Sequence, residues 1–581
     1  MNIVGTIRRS QIVSIYGPGA IVNLKYGDAS ISVVMGDLDS WDLDAAQSKK
    51  YAKKDEPRLR KALEADNIKI SSFRLPPVGD KDDTAQFSQS LIAQIFPKVL
   101  ICPNCRTVKK HHQWISEDQY GIKKYCPKCQ TNMSANKKSY VVPSRFVVAC
   151  KAGHMQDLDY QFWLNQKLKE KNQEIDCEHK NIKLTQDGDG LGISNLKLIC
   201  LDCKSTAGMN DIFSQEFKCF GMHPWKSNAF TRKESCSLPA RVVQRNSKSL
   251  WTACRKSLIS IPPWKADLPP ELTDILHLIE KKEVKEDRSI VIDALWSSIE
   301  EICVAISNYD LPKSIDEFKD FIEERITLTE AADSNLKKDE FNILICKDDL
   351  DPNPHFEKRN QNIKKLAKKY NFIDMLVSVP KLREVSALYG FRRMNGEKIV
   401  FLNEGHGHDH SWLPISEMHG EGIFISIKEE IVKKVVSEQA PFENLKELDT
   451  KKKRLALLHS LSHLLIQSLA EFSGYSLSSI KERIYFEEGQ HGILIYTSSS
   501  DSEGTLGGLS RLAQPERFEI ILEILLQKIN YCSNDPICGH GLLSSANQNN
   551  GSACHACTLL PETSCEYFNE TLCRNILKAI I

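Results

Sequence analysis

Two CxxC knuckles, Cys102-Pro-Asn-Cys105 and Cys126-Pro-Lys-Cys129, stand 20 residues apart. Each can turn two thiolates onto one ion, and two at this spacing complete a tetrahedral four-thiolate zinc site. Such a closed set leaves no coordination position for a substrate, so this zinc is expected to be structural. A third knuckle, Cys200-Leu-Asp-Cys203, is followed by Cys219 and Cys236, each near turn residues (Gly221, Pro224, Pro239). These four cysteines are expected to hold a second ion. Cys150, His154 and Cys177, with His179 beside it, are left as a third site or as buried thiols. Cys150 and His154, four apart, would share a face if helical. Near the other end Cys554-His-Ala-Cys557 is again a knuckle, expected to be completed by Cys565 and either Cys538 or Cys532, with Cys573 spare.

The distribution of the nineteen cysteines supports metal over disulfides. Ten lie between Cys102 and Cys236 and six between Cys532 and Cys573, and only Cys254, Cys303 and Cys346 fall between. The segment after Met1–Arg9 has no apolar core of a signal peptide, and no run reaches the roughly 18 uninterrupted apolar residues of a membrane span. A cytoplasmic protein away from membranes is expected, where thiols stay reduced and clustered pairs read as metal ligands. At least two zinc ions should bind, and in segments too short for their own core the metal supplies folding energy.

Other residues could do chemistry. His459 and His463 are four apart on a leucine-striped helix, but position 460 is serine, so the general base of HExxH is missing. A structural histidine pair is favoured over a metal or catalytic one. Asp501-Ser-Glu-Gly-Thr-Leu-Gly-Gly-Leu509 joins a strand to a helix as a phosphate cradle would, but it lacks the lysine–serine ending and its carboxylates would repel phosphate. Net charge is +1, with 77 basic against 76 acidic residues, so the whole chain carries no electrostatic signature of nucleic acid. Basic runs around Lys49–Lys61, Lys364–Lys369 and Lys451–Arg454 read as solvated faces. The first ribbon concentrates Arg106, Lys109, Lys110, Trp114, Lys123 and Lys124, a set that could meet phosphates and stack on a base.

The elements that carry these residues predict an α+β, multidomain chain of 581 residues. Residues 1–100 form an N-terminal mixed region with strand-like Ile31-Ser-Val-Val-Met35 and a Tyr16-Gly-Pro-Gly19 turn. Residues 101–264 are a zinc-ribbon block, closed by Pro262-Pro263. Residues 265–449 are a charged helical middle with strands near Lys398–Leu402 and Gly422–Ile425. Residues 450–581 form a C-terminal α/β zinc-binding domain. Leu458, Leu461, Leu465 and Leu469 predict a helix over Arg454–Phe472. Ser476 is expected to cap a helix through Ile480–Ile484, Gly492–Tyr496 to be a buried strand, and Phe518–Leu526 to be amphipathic, cut by Glu519 and Glu523.

Four stretches resemble the DrmB family, the helicase-associated subunit of DISARM phage-defence systems. They are Arg8-Arg-Ser-Gln-Ile-Val-Ser-Ile-Tyr-Gly-Pro-Gly-Ala20; Leu382-Arg-Glu-Val-Ser-Ala-Leu-Tyr-Gly-Phe-Arg392 with Gly420-Glu-Gly-Ile-Phe424; Ser499-Ser-Asp-Ser-Glu-Gly-Thr-Leu-Gly-Gly508; and Cys554-His-Ala-Cys-Thr-Leu-Leu-Pro-Glu-Thr-Ser-Cys565. The C-terminal region is similar to the zinc-binding domain that ends MrfA-type helicases. Neither a GxxxxGK[ST] loop nor a DExH-like box occurs here. The resemblance therefore implies a non-enzymatic, zinc-binding subunit that partners a DrmA-like superfamily 2 helicase and engages DNA through the complex. The alternatives are a nuclease or phosphodiesterase built from His459, His463, Asp501 and Glu503, and a zinc scaffold that never touches nucleic acid.

Overall fold

The structure is a computed structural model describing residues 4–41, 53–76, 91–130, 138–173, 176–186, 192–226, 233–263, 270–280, 282, 284–305, 311–348, 350, 353–403, 412–437, 448–497, 508–543 and 550–580. It is a mixed α and β chain in two compact units, each assembled from discontinuous segments. The first unit takes Met1–Lys54, Ile70–Lys256 and Ala387–Ser416, and the second takes Asp55–Lys69, Ser257–Ser386 and Glu417–Ile581. The first cysteine block lies in the first unit and the second cysteine block in the second.

In the first unit, strands Ile21–Tyr26 and Ala29–Met35 form an antiparallel hairpin, with Ala93–Ile95 added along the second strand. Gly27 at φ +60 makes the hairpin turn, a conformation open to glycine without a Cβ clash. A six-stranded sheet runs in the order Val142–Pro143, Val99–Ile101, Thr107–Lys110, Ile182–Gln186, Leu196–Cys200, Thr206–Gly208. A four-stranded sheet contains Met155–Asp157, Phe146–Cys150, Pro239–Gln244 and Phe217–Lys218. The helix Tyr160–Glu170 starts where the Asp159 carboxylate accepts the Phe162 N–H, and it buries Trp163, Leu164 and Leu168 with Phe146, Val148 and Val242. Two of the stretches that carry the family resemblance meet here. The fully buried Arg393 guanidinium, next to the end of one stretch, donates to the carbonyls of Gly19, Gly153 and Leu250. Trp251 Nε1 donates to Pro18 O, and a Cβ on Gly17 would meet Leu388 and Trp251 below 3.0 Å.

In the second unit, helices Pro270–Glu280, Lys285–Ala305 and Ile315–Ala331 pack around Leu276, Ile299, Phe318 and Ile322. Ser314 caps the last of them by accepting the Glu317 N–H. The leucine-striped helix runs Thr450–Ser473, capped by Asp449 and closed by left-handed Gly474 at φ +76. It is long and apolar enough to cross a membrane by length and composition, but 78% of that window is buried in protein. Burying each leucine of the stripe is worth about 1.5–3 kcal/mol, which makes this helix the axis of the C-terminal core.

Ile480–Tyr485, expected as a helix, is a strand paired antiparallel with Gly492–Thr497 (Ile480↔Thr497, Tyr485↔Gly492). Ser476 opens only the short 3-10 turn Leu477–Ser479. Pairing with the neighbouring strand and burial of Ile480 and Ile484 override the local capping signal. Gly492–Thr497 also pairs with Trp412–Ile427, and Pro515–Asn530 is the amphipathic helix, with exposed Glu519 and Glu523 both reached by Lys369.

The basic run at Arg58–Lys61 is not a solvated face. Arg58 donates to Ile259 O and Leu336 O, Arg60 to Glu280, and Lys61 to the carbonyls at Thr329, Glu330 and Ala332. Lys49 and Lys50 lie outside the described residues.

Candidate metal centres and nucleic-acid surface

No cysteine of the nineteen is in a disulfide. Sixteen of them lie in two blocks, and all but Cys573 of those sixteen fall into tight clusters. A zinc tetrahedron with Zn–S near 2.3 Å has S···S edges of about 3.8 Å. The first ribbon meets that test. Cys102 to Cys129 and Cys105 to Cys126 are each 3.7 Å apart. The knuckle is built by backbone: Arg106 N donates to Cys102 O and Cys102 N to Thr107 O, with Arg106 left-handed at φ +63. Burial raises the Cys105 thiol, but the hydroxyl and backbone of Thr107 outweigh it and bring it down to about 6, favouring the thiolate that binds metal.

The Cys200/Cys203 knuckle repeats this design residue for residue. Lys204 N donates to Cys200 O, Cys200 N to Ser205 O, and Lys204 sits at φ +65. Its partners differ from those expected. Cys177 Sγ lies 3.8 Å from Cys200, and His179 Nδ1 3.4 Å from Cys203. Cys219 and Cys236 belong instead with Cys150 and His154. Cys219 Sγ is 3.6 Å from Cys150 Sγ, and His154 Nδ1 lies 3.2 and 3.5 Å from those two sulfurs. The expected quartet of Cys200, Cys203, Cys219 and Cys236 is thus divided between two clusters, nested in sequence. Strand pairing of Phe146–Cys150 with Pro239–Gln244 brings their neighbourhood together across a long loop. Cys150 and His154 are joined by a turn with Gly153 at φ +100, not by a helix. His154 Nε2 meets Glu234 Oε1 at 2.5 Å, an outer contact that orients the ring and leaves Nδ1 facing the sulfurs.

In the second block, Cys532, Cys538, Cys554 and Cys557 are all buried, with three S···S distances of 3.6 Å. Both Cys532 and Cys538 join the knuckle, and Cys565 does not. Cys565 faces His459, 106 positions upstream, across the domain core. Cys573 contacts Ser552 and stays outside every cluster above. The sequence signal that could have moved Cys565 was its spacing: it follows Cys557 at no knuckle interval.

Of the residues expected to meet nucleic acid, two are withdrawn from the surface. Trp114 is 5% exposed, packed on Leu100, Cys102, Cys126 and Val141, with its Nε1 donating to Lys109 O. Lys124 is buried with its Nζ on Ser116 Oγ. The small ribbon needs an apolar plug behind its metal, and this tryptophan supplies it with Leu100 and Val141. Arg106 and Lys110 are exposed, Lys109 is half-buried, and the Lys123 ammonium lies over the rings of Tyr26 and Tyr140.

The glycine loop itself, including Asp501 and Glu503, lies outside the described residues. Its exit is held by the fully buried Glu421, which accepts from Leu509 N, Ser510 N, Ser510 Oγ and Tyr475 OH. Glu421, inside one resemblance-carrying stretch, thus holds the residues that directly follow another, which ends at Gly508.

Two family models match stretches of this chain. Residues 8–252 match a domain of unknown function, DUF8724, and residues 461–558 match the MrfA Zn-binding domain. The chain is 29% identical over 517 residues to the DISARM protein DrmB of Bacillus paralicheniformis, covering 83% of this chain and 88% of that one. A crystal structure of the DUF1998 helicase MrfA bound to DNA aligns with 40% of this chain at 16% identity. This chain spans only about a quarter of that helicase (26%), and the TM-score of 0.21 is too low to establish a common fold. The chain is a zinc-binding relative of the DISARM protein DrmB, with a zinc-binding domain of the MrfA type near its C-terminal end.

Proposed function

We propose that this chain is the DNA-engaging, zinc-stabilised subunit of a bacterial anti-phage complex of the DISARM kind, without a motor of its own and partnered by a DrmA-like superfamily 2 helicase in the cytoplasm. The observation that carries the reading is similarity to the DISARM protein DrmB across most of both chains. Zinc is assigned to the clusters of Cys102, Cys105, Cys126 and Cys129; of Cys177, His179, Cys200 and Cys203; of Cys150, His154, Cys219 and Cys236; and of Cys532, Cys538, Cys554 and Cys557. Each supplies four donors, and a four-coordinate ion so enclosed has no open position for water or substrate. The metals hold shape, and turnover is left to the partner. Arg106, Lys109, Lys110 and Lys123 on the ribbon supply cations for phosphates, while Trp114 serves the ribbon's own core.

The hydrolase alternative loses ground on one point. His459 and His463 are both 0% exposed, so neither can activate a water at a phosphodiester without opening the core.

The test is reconstitution. The purified chain alone should hydrolyse no ATP and cut no DNA with added divalent metal. Mixed with a DrmA-like superfamily 2 helicase, it should form a stable complex that binds DNA more tightly than either component. Failure to bind that helicase, or ATP turnover or cleavage by the chain alone, would overturn the reading.

A further inference from the structure

We infer that His459, His463, Glu482 and Cys565 form a further zinc site, of mixed nitrogen, oxygen and sulfur donors, inside the C-terminal core. The four donor atoms lie within 4.8 Å of one another, and all four residues are buried. They come from three elements: the histidines from the helix Thr450–Ser473, Glu482 from the strand Ile480–Tyr485, and Cys565 from the loop after the last knuckle. His459 Nε2 is 3.1 Å from Cys565 Sγ and 3.2 Å from Glu482 Oε1, and His463 Nε2 is 3.5 Å from the same oxygen. Zinc with Zn–N and Zn–O near 2.1 Å and Zn–S near 2.3 Å sets tetrahedral edges of about 3.4–3.6 Å, close to these separations.

The surroundings select ligation over an ordinary hydrogen-bonded cluster. His463 Nδ1 lies 2.7 Å from Thr558 O, and a carbonyl can only accept, so Nδ1 carries the proton and Nε2 the lone pair. That lone pair faces a carboxylate oxygen, acceptor against acceptor. His463 Nε2 and Glu482 Oε2 are buried without any hydrogen-bond partner. An orphaned acceptor in a core is costly, and a cation between the His463 lone pair and the Glu482 carboxylate gives that nitrogen its partner. Cys565 Sγ already accepts the Asn569 N–H at 3.1 Å, the backbone contact expected around a ligating thiolate.

Charge and donor type choose the ion. One thiolate and one carboxylate balance a divalent cation, so the filled site is buried with no net charge. Thiolate and imidazole exclude magnesium and calcium, and the mixed tetrahedral set suits zinc. Four protein donors leave no open position, so the ion is structural. It pins the central helix to the strand hairpin and to the loop following Cys557, because Thr558, which orients His463, is the next residue after that knuckle ligand. The histidine pair is thus neither a protease-like motif nor merely packed.

The site stands independently of any partner and is tested on the full chain alone. Elemental analysis should find one zinc fewer per chain in His463→Ala and in Cys565→Ser than in the wild type, and no change in Cys573→Ser. Because either of the first two variants can fail to fold, the unaltered chain exchanged with cadmium provides a second readout. Its cadmium NMR spectrum should contain a resonance of a one-sulfur site, well separated from those of the cysteine-rich clusters. Wild-type zinc content in both folded variants would overturn the proposal. So would a cadmium form that shows the cysteine-cluster resonances without the one-sulfur signal, and iron lost in place of zinc would overturn the choice of ion.

Discussion

The first ribbon and the nested pair of clusters downstream use the same donors in opposite ways. The ribbon draws Cys102, Cys105, Cys126 and Cys129 from one short segment and keeps a satellite core of its own, plugged by Trp114. The nested clusters draw from Cys150 to Cys236, one inside the span of the other, and Cys150, Cys200 and Cys219 are part of the unit's main hydrophobic core. In the ribbon the metal anchors a small core of its own. In the nested pair it is embedded in the unit's main core. The first arrangement can fail locally, whereas the second is tied to the sheets around it.

The largest effect should come from removing metal altogether. Stripping zinc with a strong chelator in mild denaturant should unfold the cysteine-rich part of the first unit, because the metal's binding free energy is part of its folding free energy. Circular dichroism and limited proteolysis should report the loss together with the fall in bound zinc. Unchanged protease resistance in a zinc-free chain would mean that the apolar core alone holds this region.

Single sites should separate the two arrangements. Cys219→Ser is expected to lower the unfolding midpoint of the whole unit, while Cys126→Ser exposes only the segment near 102–129 to protease. The outer nested site closes a loop roughly three times longer than the ribbon's, worth about 1 kcal/mol more in loop-closure entropy. Serine in place of buried Cys219 also leaves a polar group inside the main core. Hydrogen exchange resolves the two patterns, and an equal, local effect from both variants would dissolve the distinction.

What could be read from the chain follows the same division. The CxxC knuckles were legible because their ligands are neighbours in sequence and their turn chemistry is local. The Arg106 and Lys204 conformations show how little more they need. The mates of Cys200 and Cys203 were not legible, because Cys177 and His179 arrive through pairing of Ile182–Gln186 with Leu196–Cys200. Sequence proximity groups Cys565 with the nearest knuckle, but its partner His459 lies across the core. The long leucine helix was legible from its stripe, and the strand Ile480–Tyr485 was not, because its neighbour across the hairpin decides it. Trp114 among cations reads in sequence as a stacking platform, and its burial is set by packing that the sequence does not display.

The smallest effect should come from the ribbon's surface, and it tests whether a locally built, peripheral metal module faces DNA. Arg106 and Lys110 are exposed and Lys109 partly so, whereas Cys150, His154, Cys200 and Cys219 of the nested clusters are buried. Each phosphate neutralised releases counterions, contributing about 0.9 to the slope of log affinity against log salt on duplex DNA. Lys109→Glu with Lys110→Glu, measured in the helicase complex, should weaken binding and flatten that slope by about 1–2. Trp114→Phe should leave both unchanged and lower the ribbon's stability instead, since the ring is 5% exposed. Lys124→Gln should resemble Trp114→Phe rather than the reversal, because its ammonium is spent on Ser116. If the double reversal leaves affinity and slope unaltered in a folded complex, the ribbon does not face DNA. A loss of affinity in Trp114→Phe alone, with the ribbon still intact by proteolysis, would instead restore the stacking role that its burial argues against.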